Sequence, residues 1–141
     1  MSETLLVDTG AWLALFDRTE EQHRAMVAVA DLIDLAHLVM PWPVTYEVLR
    51  TRFVRRPAWV AAFDARLRRP AVTFIDDADY RKDAYALTVE SSTRQRRDLS
   101  MVDMLCRLLI DDPNVDIKHL LTPNKRDFYD VCAKNRVEIW P

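Results

Sequence analysis

The chain has 141 residues and a net charge of −2, and half of its residues are hydrophobic while 30% are charged. This length and mixture are typical of a single globular domain, which we expect over residues 1–141. A net negative charge excludes a protein that holds nucleic acid by its overall charge, so any such binding must be local. Sixteen arginines against four lysines favour bidentate contacts to phosphate or carboxylate, although a GC-rich genome explains the bias equally well.

The sequence predicts neither a targeting segment nor a membrane-spanning one. Its start lacks a basic region followed by a long apolar core, and no apolar run approaches the roughly 20 residues of a membrane-spanning helix. Cys106 and Cys132 fall in helical patterns with no repeated spacing, which favours a reduced protein over a disulfide-linked one. We therefore expect a cytoplasmic protein that does not associate with membranes.

In the first half of the chain, apolar strands alternate with helical patterns. Apolar residues between Met26 and Ile33 recur at helical spacing and predict one face of a long helix. Pro41 ends a short strand, and Pro43 and Pro57 fit the first turns of helices, where a backbone N–H is not needed. The predicted elements are a strand over 5–8, a helix over 11–17, a helix over 21–36, a strand over 38–40, a helix from 43 to about 55, a helix from 57 to about 67 and a strand over 71–75.

The second half continues the alternation. Residues 99–111 are apolar on nearly every helical face, so we expect this helix to be central. Strands that alternate with helices predict an α/β fold with a mostly parallel sheet of four to five strands flanked by helices. The predicted elements are a helix over 77–91, a basic polar loop over 92–98, the helix over 99–111, a strand over 118–122, a short helix from 124 or 125 and an edge strand over 137–139.

Asp8 comes where the first apolar strand stops. A carboxylate at the carboxyl end of a buried strand lies at the edge where open α/β sheets bind ligands. Asp is also a favoured N-cap, so capping of the next helix explains it equally well. Thr9 would serve as that cap too, which would leave Asp8 facing the edge. We interpret Asp8 as one wall of an acidic metal pocket.

Two further acids, Glu47 and Asp103, lie within predicted helices. Glu47 precedes Arg50 by three residues, a spacing that equally fits a solvated ion pair worth a few tenths of a kcal/mol. Ser100 and Asp103 match a helix-start capping box. The apolar neighbours of Asp103 nevertheless predict a buried helix, in which an ionised carboxylate needs a divalent cation or an arginine as its partner.

Polar groups also follow the fourth predicted strand. Asn124 and Asp127 lie at the expected edge of the sheet, although this pair equally fits a helix cap with an acid in the first turn. Thr122 and Pro123 fit a cap followed by the first helical residue. Asp98 is a further candidate, either as a ligand or as a helix cap.

Three or four oxygen donors on one edge suit Mg²⁺ or Mn²⁺. Such a centre suits phosphodiester hydrolysis, because the cation lowers the pKa of a bound water and stabilises the developing oxyanion. The three histidines are predicted to be structural or on the surface. The chain has no zinc-ligand spacing, P-loop, dinucleotide-binding motif or serine-hydrolase motif. The arginines of segment 94–97 lie near the predicted site, where a phosphate backbone and an acidic partner peptide are equally suitable partners.

Four segments together resemble the PIN-domain family, and most closely its bacterial VapC-type ribonuclease toxins. They agree with the family in order and spacing over nearly the whole chain. The segments are Val7–Trp12, Pro43–Val48, Leu99–Asp103 and Leu121–Asn124 followed by Asp127 and Phe128.

The resemblance implies a three-layer PIN-like fold and a Mg²⁺- or Mn²⁺-dependent endoribonuclease that is toxic unless a cognate antitoxin protein binds it. It also implies a homodimer. Asp8, Glu47 and Asp103 match the three family acids and are the expected metal ligands. Asn124 falls on the fourth family position, which is often Asp. A neutral amide oxygen would weaken a second metal site there, and Asp127 is the residue that would compensate.

Two other functions fit the same residues. An aspartate-nucleophile phosphotransferase would use Asp8, but the second Asp that such enzymes carry two residues later is replaced by Gly10. A non-catalytic PIN-like module that only sequesters a partner or RNA is kept open by Asn124. We expect the endoribonuclease, with Asp8, Glu47 and Asp103 as metal ligands and Asn124 assisting directly or through water.

Overall fold

The computed structural model describes residues 3–141. Within them, five strands form one sheet in the order β3-β2-β1-β4-β5, and every neighbouring pair runs parallel. The strands are β1 (Thr4–Val7), β2 (His37–Pro41), β3 (Val72–Ile75), β4 (His119–Leu121) and β5 (Glu138–Trp140). The helices are α1 (Thr9–Phe16), α2 (His23–Ala28), α3 (Asp31–Leu35), α4 (Trp42–Val48), α5 (Thr51–Val54), α6 (Pro57–Leu67), α7 (Arg81–Arg94), α8 (Met101–Asp111) and α9 (Lys125–Asn135).

The predicted α/β class is confirmed, as is the parallel sheet flanked by helices, and the arrangement is consistent with a three-layer PIN-like fold. β1 is central, with Leu5 paired to Leu38 on one side and to His119 on the other. The chain builds outward from β1 through β2 and β3, and then returns to the other side of β1 with β4 and β5. The strand order therefore reverses between β1 and β4, and a crevice is expected where their carboxyl ends separate.

The core lies on both faces of the central strands. Leu5 and Leu6 of β1 are completely buried although their side chains point to opposite faces, as expected for a parallel sheet covered on both sides. Aromatic residues fill the space between α1 and the helices after β2. Trp12 of α1 meets the ring of Phe63 edge to face, with ring centroids 4.9 Å apart. These contacts hold α1 against the sheet directly after Asp8.

Local sequence explains where several helices begin and end. α6 begins at Pro57 and spans the predicted residues. α8 begins after a capping box in which Ser100 and Asp103 bond each other's backbone N–H groups. α9 ends at Arg136, whose left-handed φ of 56° turns the chain into the predicted edge strand. Within residues 3–141, no helix combines the length and the apolar character needed to cross a lipid bilayer.

The prediction of one helix over 21–36 is wrong. The structure has two short helices, α2 and α3, and His37 belongs to the following strand. At the break, Val29 and Ala30 donate their backbone N–H groups to carbonyls three residues earlier instead of four, at 3.1 and 3.2 Å. This tighter turn interrupts the α-helical ladder without any Gly or Pro. Met26 and Ile33 still face the core on either side of the break.

The predicted helix from 43 to about 55 is also divided, into α4 and α5. Arg50 adopts an extended conformation with ψ of 169°, which no α-helical residue has. The chain turns there, and Val48 and Phe53 both become buried in the core as a result.

The helix predicted over 77–91 lies instead at 81–94, because residues 77–80 form a turn closed by a 2.9 Å bond from the Tyr80 N–H to the Asp77 carbonyl.

The expectation that the helix over 99–111 is buried on nearly every face is wrong. Five residues of α8 are buried, but Met101 is 37% exposed. On another face, Arg107 forms an ion pair with Asp130 of α9 at 2.7 Å. Asp103 is consequently half-buried and not enclosed in an apolar core.

Candidate active site

Asp8 occupies the start of the crevice between β1 and β4. Its backbone N–H donates to the Leu121 carbonyl at 3.1 Å, which continues the pairing of the two strands. Its Oδ1 accepts a 2.8 Å bond from the Ala11 N–H, and its Oδ2 accepts a 2.5 Å bond from Thr122 Oγ1. Asp8 is therefore the N-cap of α1, so of the two caps that the sequence allowed, Asp8 and not Thr9 takes this role. Two fixed hydrogen bonds hold the carboxylate while its remaining lone pairs stay unused.

The environment of Asp8 disfavours its ionised form. Burial raises the pKa of this carboxyl from 3.8 to about 7, against the opposing effect of the hydrogen bonds from Thr122 and Ala11. The negative charges of Asp103 and Glu47 raise the pKa further. Three acids that are distant in sequence therefore share one electrostatic environment at the end of β1.

Glu47 reaches this environment from α4. It is half-buried, and its Oε1 accepts a 2.5 Å hydrogen bond from Thr9 Oγ1. Thr9 is free to make this bond because the preceding aspartate, and not Thr9, caps α1. The alternative of an ion pair with Arg50 is not observed. α1 and α4 are thus connected across the site by a threonine and a glutamate.

Asp103 lies in the first turn of α8 and has two roles. Its Oδ2 accepts a 2.9 Å bond from the Ser100 N–H while its own N–H donates to Ser100 Oγ at 3.1 Å, so the predicted capping box is confirmed. Its charge also raises the pKa values of Asp8 and Asp127. Asp103 therefore caps its helix and belongs to the acidic group at once.

The three acids have no cationic partner of their own. Within residues 3–141, none of Asp8, Glu47 and Asp103 takes part in an ion pair. Nor do the described residues contain three acidic, imidazole or thiol side chains already gathered as metal ligands. Hydrogen bonds to Thr9 and Ser100 account for the positions of Glu47 and Asp103. The donor set of oxygens with uncompensated charge fits a hard divalent cation, provided that these two side chains exchange their present partners.

The side chain of Asn124 makes no hydrogen bond to Asp8, Glu47 or Asp103. Asn124 is the N-cap residue of α9, but its side chain makes no capping bond and is exposed. It lines a cleft of about 370 Å³ with Gly10, Glu20 and Pro123. A Cβ on Gly10 would lie 3.1 Å from Pro123 Cγ, so glycine allows the segment after β4 to approach α1 closely. The predicted cap role of Asn124 is confirmed only for its backbone, which accepts a 3.0 Å bond from the Asp127 N–H.

Asp127, which follows β4, has a carboxyl whose pKa is raised by neighbouring acids. It is half-buried, and burial raises the pKa of its carboxyl, with further increases from the charges of Asp103 and Asp98. Arg126 and Arg97 oppose this rise. Charges of both signs therefore act on the carboxyl of Asp127, and Asp98 is exposed.

Two residues near the acids were not recognised from the sequence. Thr122, interpreted as a helix cap, instead donates to Asp8, a residue 114 positions away, and no spacing rule could have found this pair. Cys106 is buried one helical turn beyond Asp103, and burial together with the three nearby acids raises the pKa of its thiol well above 9.0. The Cys106 thiol is therefore held in its neutral form near the acids. Both cysteines are free, as expected.

A scan against protein-family models finds no match to this chain, and a search of curated proteins finds no significant match. The interpretation of the site therefore depends on its own geometry and chemistry.

Proposed function

We propose that the chain is a PIN-like, VapC-type endoribonuclease that hydrolyses RNA phosphodiester bonds with Mg²⁺ or Mn²⁺. One observation carries the proposal. Asp8, Glu47 and Asp103 come from three different elements near the reversal point of a parallel sheet, and the charges of Asp103 and Glu47 both raise the pKa of Asp8. Within residues 3–141, no ion pair balances any of the three acids. An excess of negative charge at a ligand-binding edge is the usual setting for a catalytic divalent cation.

The three acids would hold the cation, which when bound supplies an activated water and positive charge opposite the developing oxyanion. Asp8 provides the fixed part of the centre, because Thr122 and the Ala11 N–H already orient both of its oxygens. Glu47 and Asp103 lie on the adjoining helices and are held by a single threonine and by a backbone N–H. If Glu47 and Asp103 exchange these hydrogen bonds for the cation, their carboxylates would move closer to Asp8.

The proposal includes the biological setting that the resemblance implies. The chain would act in the cytoplasm as the toxin of a toxin–antitoxin pair, inhibited by a cognate antitoxin protein. Induced expression in a bacterial host should then arrest growth, and the Asp8→Asn variant should not. Normal growth on expression of the wild-type chain would contradict the toxin role without bearing on RNA cleavage in vitro.

We also propose that the chain forms a homodimer through an exposed aromatic face made of Trp42, Tyr46 and Phe74. Tyr46 is 71% exposed, and the rings of Trp42 and Phe74 stack with centroids 4.5 Å apart. Exposed aromatic residues of this kind are typical of protein interfaces. Sedimentation velocity should report a dimer for the wild type and a monomer for Tyr46→Lys. The matched control Leu35→Lys, also at an exposed apolar position, should remain dimeric.

The decisive experiment is RNA cleavage by the purified chain with Mg²⁺, with Mn²⁺ and with EDTA. Cleavage should require metal and should be lost in Asp8→Asn and Asp103→Asn. The control variant Glu90→Gln changes an exposed acid on α7 and should cut normally. An Asp8→Asn variant that cuts RNA at the wild-type rate would overturn the assignment.

The two alternative functions have their own signatures in the same samples. RNA binding without metal-dependent cleavage, and without calorimetric metal binding, would identify a non-catalytic module. A covalent phosphoryl group trapped on Asp8 would identify the phosphotransferase.

A further inference from the structure

A basic cleft lies beside the start of α9, next to Asp127 in the chain. It has a volume of about 590 Å³ and brings together the loop before α8 and the first turns of α9. The residues that line it, Arg97, Lys125, Arg126, Tyr129 and Asp130, define the basic cleft here.

The cations of the basic cleft are available to a ligand. Arg97, Lys125 and Arg126 form no ion pair with any other residue of the 3–141 segment. The single acid of the cleft, Asp130, is already neutralised, because Arg107 donates to both of its oxygens at 2.8 and 2.7 Å. The cleft therefore presents three positive charges that have no ion-pair partner within residues 3–141, in a chain whose net charge is −2.

Helix stability does not explain these positions. Lys125 and Arg126 occupy the first turn of α9, where the helix dipole favours acids and disfavours cations. Arg97 is brought to the same place by the turn after α7, in which its backbone N–H donates to the Ser91 carbonyl at 3.0 Å. Residues that depart from local preference in this way are expected at functional positions.

The basic cleft adjoins α8, the helix that carries Asp103. Asp127 directly follows Arg126 of the cleft in α9, and its carbonyl accepts a 2.7 Å hydrogen bond from Arg107 of α8. Tyr129 stands one helical turn beyond Lys125, with 70% of its surface exposed. The cleft thus combines cations for phosphate oxygens with an aromatic face on which a base can stack, the two features that bind single-stranded nucleic acid.

We propose that the basic cleft binds the single-stranded RNA substrate next to the cleaved bond. Arg97, Lys125 and Arg126 contact the phosphate backbone, and Tyr129 stacks on an adjacent base. These are positioning residues that align the neighbouring phosphodiester with the acids, and their role in cleavage rests on the function proposed above. An acidic peptide is the less suitable occupant, because it would bring further carboxylates beside Asp127, whose pKa burial and neighbouring acids already raise.

Binding is tested without cleavage, by fluorescence anisotropy of a labelled single-stranded RNA in EDTA over a range of salt. The double variant Arg97→Gln/Arg126→Gln should bind about tenfold more weakly, and its log–log salt slope should fall by roughly 1.4, since each phosphate contact to a single strand contributes about 0.7. Tyr129→Ala should weaken binding with the salt slope unchanged. The control Arg24→Gln/Arg55→Gln alters two exposed arginines elsewhere and should bind as the wild type does.

Circular dichroism melting is used to confirm that each variant is folded. Equal affinities and equal salt slopes for the cleft variant and the control would overturn the proposal. So would binding of a polyglutamate peptide that depends on the cleft arginines while RNA binding does not.

Cleavage assays separate this inference from the proposed function. In Mg²⁺, the cleft variants should raise KM while kcat changes little. A wild-type chain that cuts RNA with the same KM as its cleft variants would overturn the role of the cleft and leave the nuclease standing. A chain that never cuts RNA, yet loses RNA binding in the cleft variants, would overturn the nuclease and support the cleft as an RNA site.

Discussion

Thr122 Oγ1 donates a 2.5 Å hydrogen bond to Asp8 Oδ2, and this bond joins the ends of β4 and β1 across 114 positions of sequence. Thr122 is completely buried, and its oxygen also accepts a 3.0 Å bond from the Asn124 N–H. One hydroxyl therefore orients the buried acid and shapes the segment that follows β4. Several consequences of this arrangement and of its surroundings can be measured.

Replacement of Thr122 by Val should destabilise the protein and weaken metal binding. The substitution keeps the shape but removes the donor to Asp8 and the acceptor for the Asn124 N–H, and unpaired buried polar groups cost about 1–3 kcal/mol each. Urea unfolding and calorimetric Mg²⁺ titration measure the two effects. Thr122→Ser keeps the hydroxyl and should restore metal affinity, whereas equal metal affinity for the Val and Ser variants would contradict an orienting role.

Asp8→Asn should stabilise the metal-free protein at high pH. The folded-state pKa of about 7 lies above the ordinary 3.8, so the folded state holds this proton more tightly than the unfolded state. The contribution to stability is complete below pH 3.8 and is lost as pH rises through 7, in total about 4 kcal/mol by linkage. Asn caps a helix as well as Asp does and carries no charge.

The measurement is urea unfolding of wild type and Asp8→Asn in EDTA at pH 5 and at pH 8. The advantage of the variant should be much larger at pH 8 than at pH 5. A difference that stays constant across this range would show that the carboxyl does not titrate within it.

Mg²⁺ or Mn²⁺ should raise the melting temperature of the wild type at pH 8 and should not raise that of Asp8→Asn. A ligand that binds only the folded state stabilises it by about 2.7 kcal/mol at a concentration one hundred times its Kd. Differential scanning calorimetry with and without the cation measures the shift. The Glu90→Gln control should respond as the wild type does, and an equal response of Asp8→Asn would place the cation elsewhere.

Tyr80→Phe should destabilise the protein at neutral pH, because it removes a hydrogen bond to a charged group. Tyr80 Oη donates to Asp112 Oδ2 at 2.6 Å and so connects the start of α7 to the end of α8. This bond lowers the pKa of Asp112 and raises that of Tyr80 to about 12.

The pH dependence of this bond has a defined sign. Because the pKa of Asp112 is lowered, the contribution is present above pH 3.8 and is lost as pH falls below that value. Because the pKa of Tyr80 is raised, the contribution is lost again as pH rises from 10 to about 12. Unfolding of wild type and Tyr80→Phe at pH 3 and pH 7 should show the difference shrinking at pH 3, and an unchanged difference would contradict the assigned partner.

Helix boundaries show where sequence patterns stop predicting the structure correctly. Periodicity correctly predicted α6 over Pro57–Leu67, because a proline begins it. Periodicity predicted α4 and α5 as a single helix, because residues 43–55 are compatible with a helix throughout. The break at Arg50 arises from packing, since the turn there places both Val48 and Phe53 in the core. Core packing can override a local helical preference that is worth only fractions of a kcal/mol per residue.

By itself, the sequence determined the α/β class, the parallel sheet and the position of Asp8 at the end of a buried strand, because strands that are covered on both faces must be apolar and polar turn residues follow where they end. Only the tertiary structure decided that this strand is central, that Asp8 and not Thr9 caps α1, that Thr122 bonds Asp8, and that the charge of Asp103 raises the pKa of Asp127. Helix caps and metal ligands use the same oxygen-bearing side chains. Their roles therefore depend on contacts between residues far apart in the chain, which no local pattern encodes.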